Sequence, residues 1–173
     1  VNMDESTTLK TVVQENRNLN EILDINKYKG VLTINFIDTK YEGKSIGDAI
    51  LIKAPDGELM LIDSSEVPCG IELVNYLEKM KVKKLDYALA THFHNDHIGG
   101  YLEVLKVIPV DNMLLPEIPG FNTTVMGTFT GLLSQKGIVS KYIKKGDYFT
   151  LGKGIQIEVL NPEEKILVPD NVD

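Results

Sequence analysis

Cysteine is almost absent from this chain of 173 residues: Cys69 stands alone. No intrachain disulfide can form, so the fold does not depend on an oxidising compartment. Long apolar runs are missing too. None approaches the ~20 residues needed to cross a bilayer. The first residues, VNMDESTTLK, have neither the basic nor the apolar region of a signal peptide. The chain reads as soluble, with its compartment left open. Basic excess is lacking as well. A net charge of −7 gives no overall field that draws nucleic acid or anionic lipid. An anionic substrate would need local help from lysines or from a bound cation. What remains is an ordinary globular composition, 43% hydrophobic and 25% charged. Its length suits one domain, or a large piece of one, with a core to bury.

Residues 1–29 are polar and read as a leader or linker, with one weak helix over LKTVVQENRNLNEIL. A regular pattern follows over 30–173. GVLTINFID (30–38), DAILIKA (48–54) and ELMLIDSS (58–65) read as strands. Pro55-Asp56-Gly57 is the turn between the last two, and TKYEGKSIG (39–47) is a loop. GIELVNYLEKM (70–80) places Ile71, Val74, Tyr76, Leu77 and Met80 near helical spacing. KLDYALAT (84–91) is a short apolar run of the buried-strand kind. Then come a helix over 98–108, a strand over 110–116, a helix over 121–137, a strand over 138–143 and a hairpin over 146–162. The order is that of a layered α/β or α+β domain.

Histidine is as scarce as proline is ordinary: His92, His94 and His97 are the only three, and all lie in THFHNDHIGG, 91–100, with Asp96. The preceding strand ends at Thr91 and the next helix is expected to begin at His97 or Ile98. The stretch is thus a loop at the C-terminal edge of a strand, where α/β proteins place ligand sites. Three imidazoles and a carboxylate within six residues supply nitrogen and oxygen donors suited to zinc, or to manganese or iron. Gly99 and Gly100 fit a close approach of helix to sheet.

THFHNDHIGG resembles the T-H-x-H-x-D-H-x-G-G motif of the metallo-β-lactamase superfamily of hydrolases. INFIDTKYEGKSIGDAILIKAPDGELMLIDSS, KKLDYALATHFHNDHIGG and KKGDYFTLGKGIQIEVLNP are similar to the competence-protein (ComEC-type) branch, with KYEGKS as an insertion. The likeness spans residues 31 to 162. It implies the N-terminal half of an αββα sandwich, a mixed sheet with helices on one face, stopping before the second half. It implies that His92 and His94 bind one metal and that Asp96 and His97 bind a second. Asp63 would brace the histidine loop from behind. A metal-activated water would be the nucleophile, and Asp96 would orient it or shuttle its proton. The branch suggests a phosphodiester or nucleic-acid substrate.

The family pattern also asks for later donors, a bridging aspartate and two further histidines. No histidine follows His97, and Asp111, Asp147, Asp170 and Asp173 lie in no matching context. The metal set is therefore incomplete within these residues, and a missing C-terminal half or a second copy is expected to supply the rest. Two functions stay in view: a metal-dependent hydrolase, and a non-catalytic half-domain serving assembly. Weaker signals add little. Asp38 occupies the first glycine position of a P-loop ending in GKS. Cys69 reads as an inert thiol. NTT at 122–124 is a chance sequon. The lysines of KMKVKK (79–84) and KYIKK (141–145) are either solvated faces or guides for phosphate.

Overall fold

The structure, a computed structural model, describes Asp24, residues 27–118 and residues 122–163. The weak helix expected over 9–23 and the last residues, 164–173, lie outside that range. Six strands form one mixed sheet in the order β1-β4-β5-β6-β7-β8. They are β1 (Thr33–Phe36), β4 (Ile50–Lys53), β5 (Leu59–Ile62), β6 (Leu85–Leu89), β7 (Val110–Pro116) and β8 (Ser140–Ile143). The first three pair antiparallel; β5 to β8 run parallel. The change of sense follows from the connections. Ala54 accepts a hydrogen bond from Gly57 across the Pro55-Asp56 turn, at 3.0 Å, and sends the chain straight back. After β5 a helix intervenes before each new strand, and a helical crossover returns the chain to the same end of the sheet.

Register decides what is buried. Leu51 pairs with Leu61, Leu61 with Ala88, and Ala88 with Met113. All four are fully inaccessible to solvent. They line the face on which α1 (Gly70–Lys79), α3 (Tyr101–Val107) and α4 (Thr124–Gln135) pack. In α1 the buried stripe is Leu73 and Leu77, one turn apart, continued by Met80. Ile71, expected on that stripe, is 65% exposed; it sits about 200° around the helix from Leu73. Thr123 caps α4 by accepting from the Met126 amide at 3.1 Å. Gly137, at φ +67°, ends that segment.

Two expectations need correction. The loop over 39–47 contains a small hairpin, β2 (Lys40–Tyr41) with β3 (Lys44–Ser45). Its turn residues Glu42 and Gly43 both have positive φ, which matches the twist of paired strands. The helix expected from His97 begins earlier: α2 spans Asn95–Ile98. The His94 carbonyl accepts from the amides of both His97 and Ile98 at 3.1 Å, which closes the turn ahead of the glycines.

The other sheet face is apolar too. The hairpin of β9 (Tyr148–Leu151) and β10 (Ile155–Glu158) covers part of it. Leu151, Phe149, Ile155 and Ile157 pack there with Met60, Ile52 and Tyr87. Toward the β1 edge the cover stops, leaving Ile34 53% and Phe36 79% exposed. No helix among the described residues is long and apolar enough to cross a membrane.

Candidate metal centre

The site forms where β5 and β6 end side by side. Phe93 is buried in the helix-side core, which anchors the loop between two histidines. Flanking positions in an extended segment point the opposite way, so His92 and His94 turn outward. His94 is still extended, at φ −70° and ψ 152°. Asp96 and His97 follow on the first turn of α2. Sequence separation then stops mattering. Asp63, 34 residues before His97, lies beside it because β5 and β6 are parallel neighbours, with Ile62 opposite Leu89.

Asp63 is the hub. It is almost fully buried and adopts φ +56° just past β5. Its carboxylate accepts from the Thr91 amide at 2.7 Å, from the Thr91 hydroxyl at 2.6 Å and from His97 Nδ1 at 2.8 Å. The hydroxyl proton of Thr91 is thereby committed to Asp63. The Thr91 oxygen, 3.1 Å from His92 Nδ1, is left to accept the imidazole proton. This network assigns the tautomers: Nδ1 carries the proton in both His92 and His97, and each Nε2 presents a lone pair. One carboxylate therefore orients two imidazoles, His97 directly and His92 through Thr91. Outer partners of this kind fix ligand orientation in metal sites.

The donor atoms group in pairs. His92 Nε2 lies 3.1 Å from His94 Nδ1, and His97 Nε2 lies 3.6 Å from Asp96 Oδ2. Two ligands on one tetrahedral zinc, at bonds of about 2.0–2.1 Å, sit roughly 3.3 Å apart. Each pair thus has the spacing of two ligands sharing an ion. Among the described residues, no group of three or more His, Cys, Asp or Glu side chains is arranged to hold one metal. The donor set fits a metal in type and pairwise spacing but does not close around one. Burial, helped by the nearby His97 and His94, pushes the His92 pKa below the ordinary imidazole value. A neutral ring is the form that coordinates.

Sequence reasoning named Asp63 but missed its collaborators. In the sequence Thr91 reads only as the end of a strand. Ser64 is fully buried and donates to the His97 carbonyl from its hydroxyl at 2.9 Å, beside the bond from its own amide at 2.8 Å. No local pattern marks either role. The two lysine runs separate. KMKVKK lies at the opposite end of the sheet, before β6, where Lys84 pairs with Asp86 and Asp111. Lys144 and Lys145 follow β8, at the same sheet edge as the histidines, and pair with Glu117 and Glu163. Cys69 is buried, and desolvation raises its pKa, so the thiol is poorly placed to react.

Hydroxyacylglutathione hydrolase 2 of Vibrio vulnificus is 30% identical over 69 residues, covering 36% of this chain and 27% of that protein. The chain thus spans about a quarter of the length of the curated relatives it matches. Among solved structures, a metallo-beta-lactamase from Pontibacter korlensis is 17% identical, with a TM-score of 0.41, over 73% of this chain and 54% of that one. A diphosphatase of the PhnP family is 17% identical, with a TM-score of 0.40, over 65% and 43%. The profile of the metallo-beta-lactamase superfamily matches residues 43–153, from the β2–β3 turn to the β9–β10 turn, with Asp63 and the whole histidine stretch inside. With more than half of its length matched, the chain belongs to the metallo-beta-lactamase superfamily.

Proposed function

We propose that this chain carries the metal-binding half of a metal-dependent hydrolase, with His92 and His94 holding one zinc ion and Asp96 and His97 holding a second. One observation carries the reading: Asp63 and Thr91 engage Nδ1 of His97 and His92, which leaves each Nε2 beside a second ligand atom, His94 Nδ1 at 3.1 Å from His92 and Asp96 Oδ2 at 3.6 Å from His97. A side chain evolved only for packing needs no such tautomer control. Bound zinc would supply Lewis acidity and the charge that ionises water at neutral pH. The chain's own residues do the rest. Asp63 holds His97, Thr91 holds His92, and Asp96, with about half of its side chain exposed, can accept a proton at the carboxylate oxygen that does not pair with His97.

The substrate class we favour is a phosphodiester, on the likeness to the competence-protein branch. The lysines after β8 lie at the right edge to meet phosphate, although Glu117 and Glu163 already engage them. A second reading is a half-domain that serves assembly. It is favoured by the lack, among the described residues, of any three donors on one ion. The remaining ligands would then come from further polypeptide or from a second copy.

Calorimetric titration of metal-stripped protein with zinc tests the reading, paired with hydrolysis of bis(p-nitrophenyl) phosphate and of a glutathione thioester. Zinc binding that is lost in His92→Ala and His97→Ala, with weak diester turnover, is the expected result. Turnover of the thioester alone would move the substrate class. A folded sample that binds no zinc would favour assembly.

A further inference from the structure

Beneath the histidine stretch lies a tyrosine that the metal chemistry does not use. Tyr101 opens α3 and is completely buried. Its phenol reaches under the loop to the Leu61 carbonyl at 3.1 Å and the Leu89 carbonyl at 2.8 Å. Those oxygens belong to β5 and β6, each two residues before a residue of the site: Leu61 before Asp63, Leu89 before Thr91. The Leu89 oxygen also accepts from the Asp63 amide at 2.8 Å. The other end of Tyr101 is tied as well. Its amide donates to the Ser64 hydroxyl at 2.9 Å, and that hydroxyl gives its proton to the His97 carbonyl. The ring stacks on Phe129 of α4, with centroids 5.8 Å apart.

We propose that Tyr101, acting with Ser64, is the positioning residue that holds Asp63 and His97 in register. Asp63 sits in the left-handed region, which residues with a Cβ occupy only when their surroundings over-determine it. Ser64 anchors the far side of this strained turn to α2, and Tyr101 anchors the two strand ends that frame it. Burial, with the Asp63 charge nearby, raises the phenol pKa well above its ordinary value, so the hydroxyl stays a donor. A buried phenol in the hydrophobic core has no packing reason to span two carbonyls of different strands, since phenylalanine fills nearly the same volume. This inference rests on the metal-site reading only for its zinc readout.

The test compares Tyr101→Phe with Phe129→Leu, which loosens the same stack without touching a hydrogen bond. Nitrogen-15 NMR of metal-free protein reads the Nδ1 proton of His97, and calorimetry reads zinc affinity. In Tyr101→Phe the His97 Nδ1 proton should exchange faster and zinc should bind about 10-fold more weakly. In Phe129→Leu both should stay as in the parent, whatever the loss in melting temperature. An unchanged His97 signal in Tyr101→Phe overturns the proposal, and so does an equal change in both variants. If Tyr101→Phe does not fold, Ser64→Ala takes its place under the same criteria. If the parent binds no zinc yet Tyr101→Phe frees the His97 proton, the positioning role stands and the hydrolase reading fails.

Discussion

Asp63 shows how one residue can be chosen for charge and backbone together. Its φ of +56° suits Asp and Asn better than other residues with a side chain. Asp63→Asn therefore keeps the backbone preference and the volume and removes the charge that three donors share. Zinc affinity should fall about 10–100-fold, with circular dichroism unchanged. Equal affinity in mutant and parent would show that Asp63 does not serve the metal. His92 gives a second prediction at this scale. Its folded pKa is depressed, chiefly by burial and then by His97 and His94. The unfolded chain thus binds the proton more readily. The stability His92 contributes is present above the unfolded value of about 6.5 and is lost as pH falls through the lower folded value. Zinc binding has the same sign, since protons compete for the ring. Proton NMR titration of the metal-free protein should place the midpoint of the His92 ring below that ordinary value. A His92 midpoint at or above about 6.5 would contradict the depressed pKa.

Short elements meet at backbone distance here, and glycine is the residue that permits it. A β-carbon at Gly100 would lie 1.8 Å from the Ser64 carbonyl oxygen, a backbone atom that cannot swing away. Gly100→Ala should cost at least about 1–3 kcal/mol as overpacking, and it should weaken zinc binding by pushing α3 off the end of β5. Gly127 makes the contrast. It lies exposed within α4, and an added β-carbon meets nothing within 4 Å. Gly127→Ala should stabilise by about 0.4–1 kcal/mol. Urea denaturation of both variants checks the pair. Similar effects at the two positions would mean that the helix and strand end do not meet as closely as described.

For the whole molecule, the balance between covered and uncovered sheet matters most. The helices seal one face, while the β9–β10 hairpin and Val159 cover the other from β4 to β8 and leave β1 open. Ile34 and Phe36 remain open on β1, an edge strand, opposite the half-buried Ile52 and Ile50. Grouped apolar residues of this kind are accessible to an apolar dye. The isolated chain should enhance the fluorescence of an apolar dye, and Phe36→Glu should abolish much of that signal without lowering the melting temperature. A parent that leaves the dye dark would mean the face is already closed.

The sequence by itself determined the strand-rich α/β order, the Pro55-Asp56-Gly57 turn and the stretch that gathers every histidine. Each rests on local chemistry: alternation along a strand, a turn residue's φ, donor types within six positions. The start of α2 at Asn95 is not legible there, because the His94 carbonyl, not a propensity, closes that turn. The hairpin inside 39–47 is not legible either, because a two-residue strand has no periodicity to read. Tertiary structure alone decided the rest. Asp63 meets His97 only because β5 and β6 pair in parallel with Ile62 opposite Leu89. Thr91, Ser64 and Tyr101 act through hydrogen bonds whose partners lie up to 40 residues away in sequence. Composition and spacing carry no record of such contacts, because register between strands is a property of the packed sheet and not of either strand.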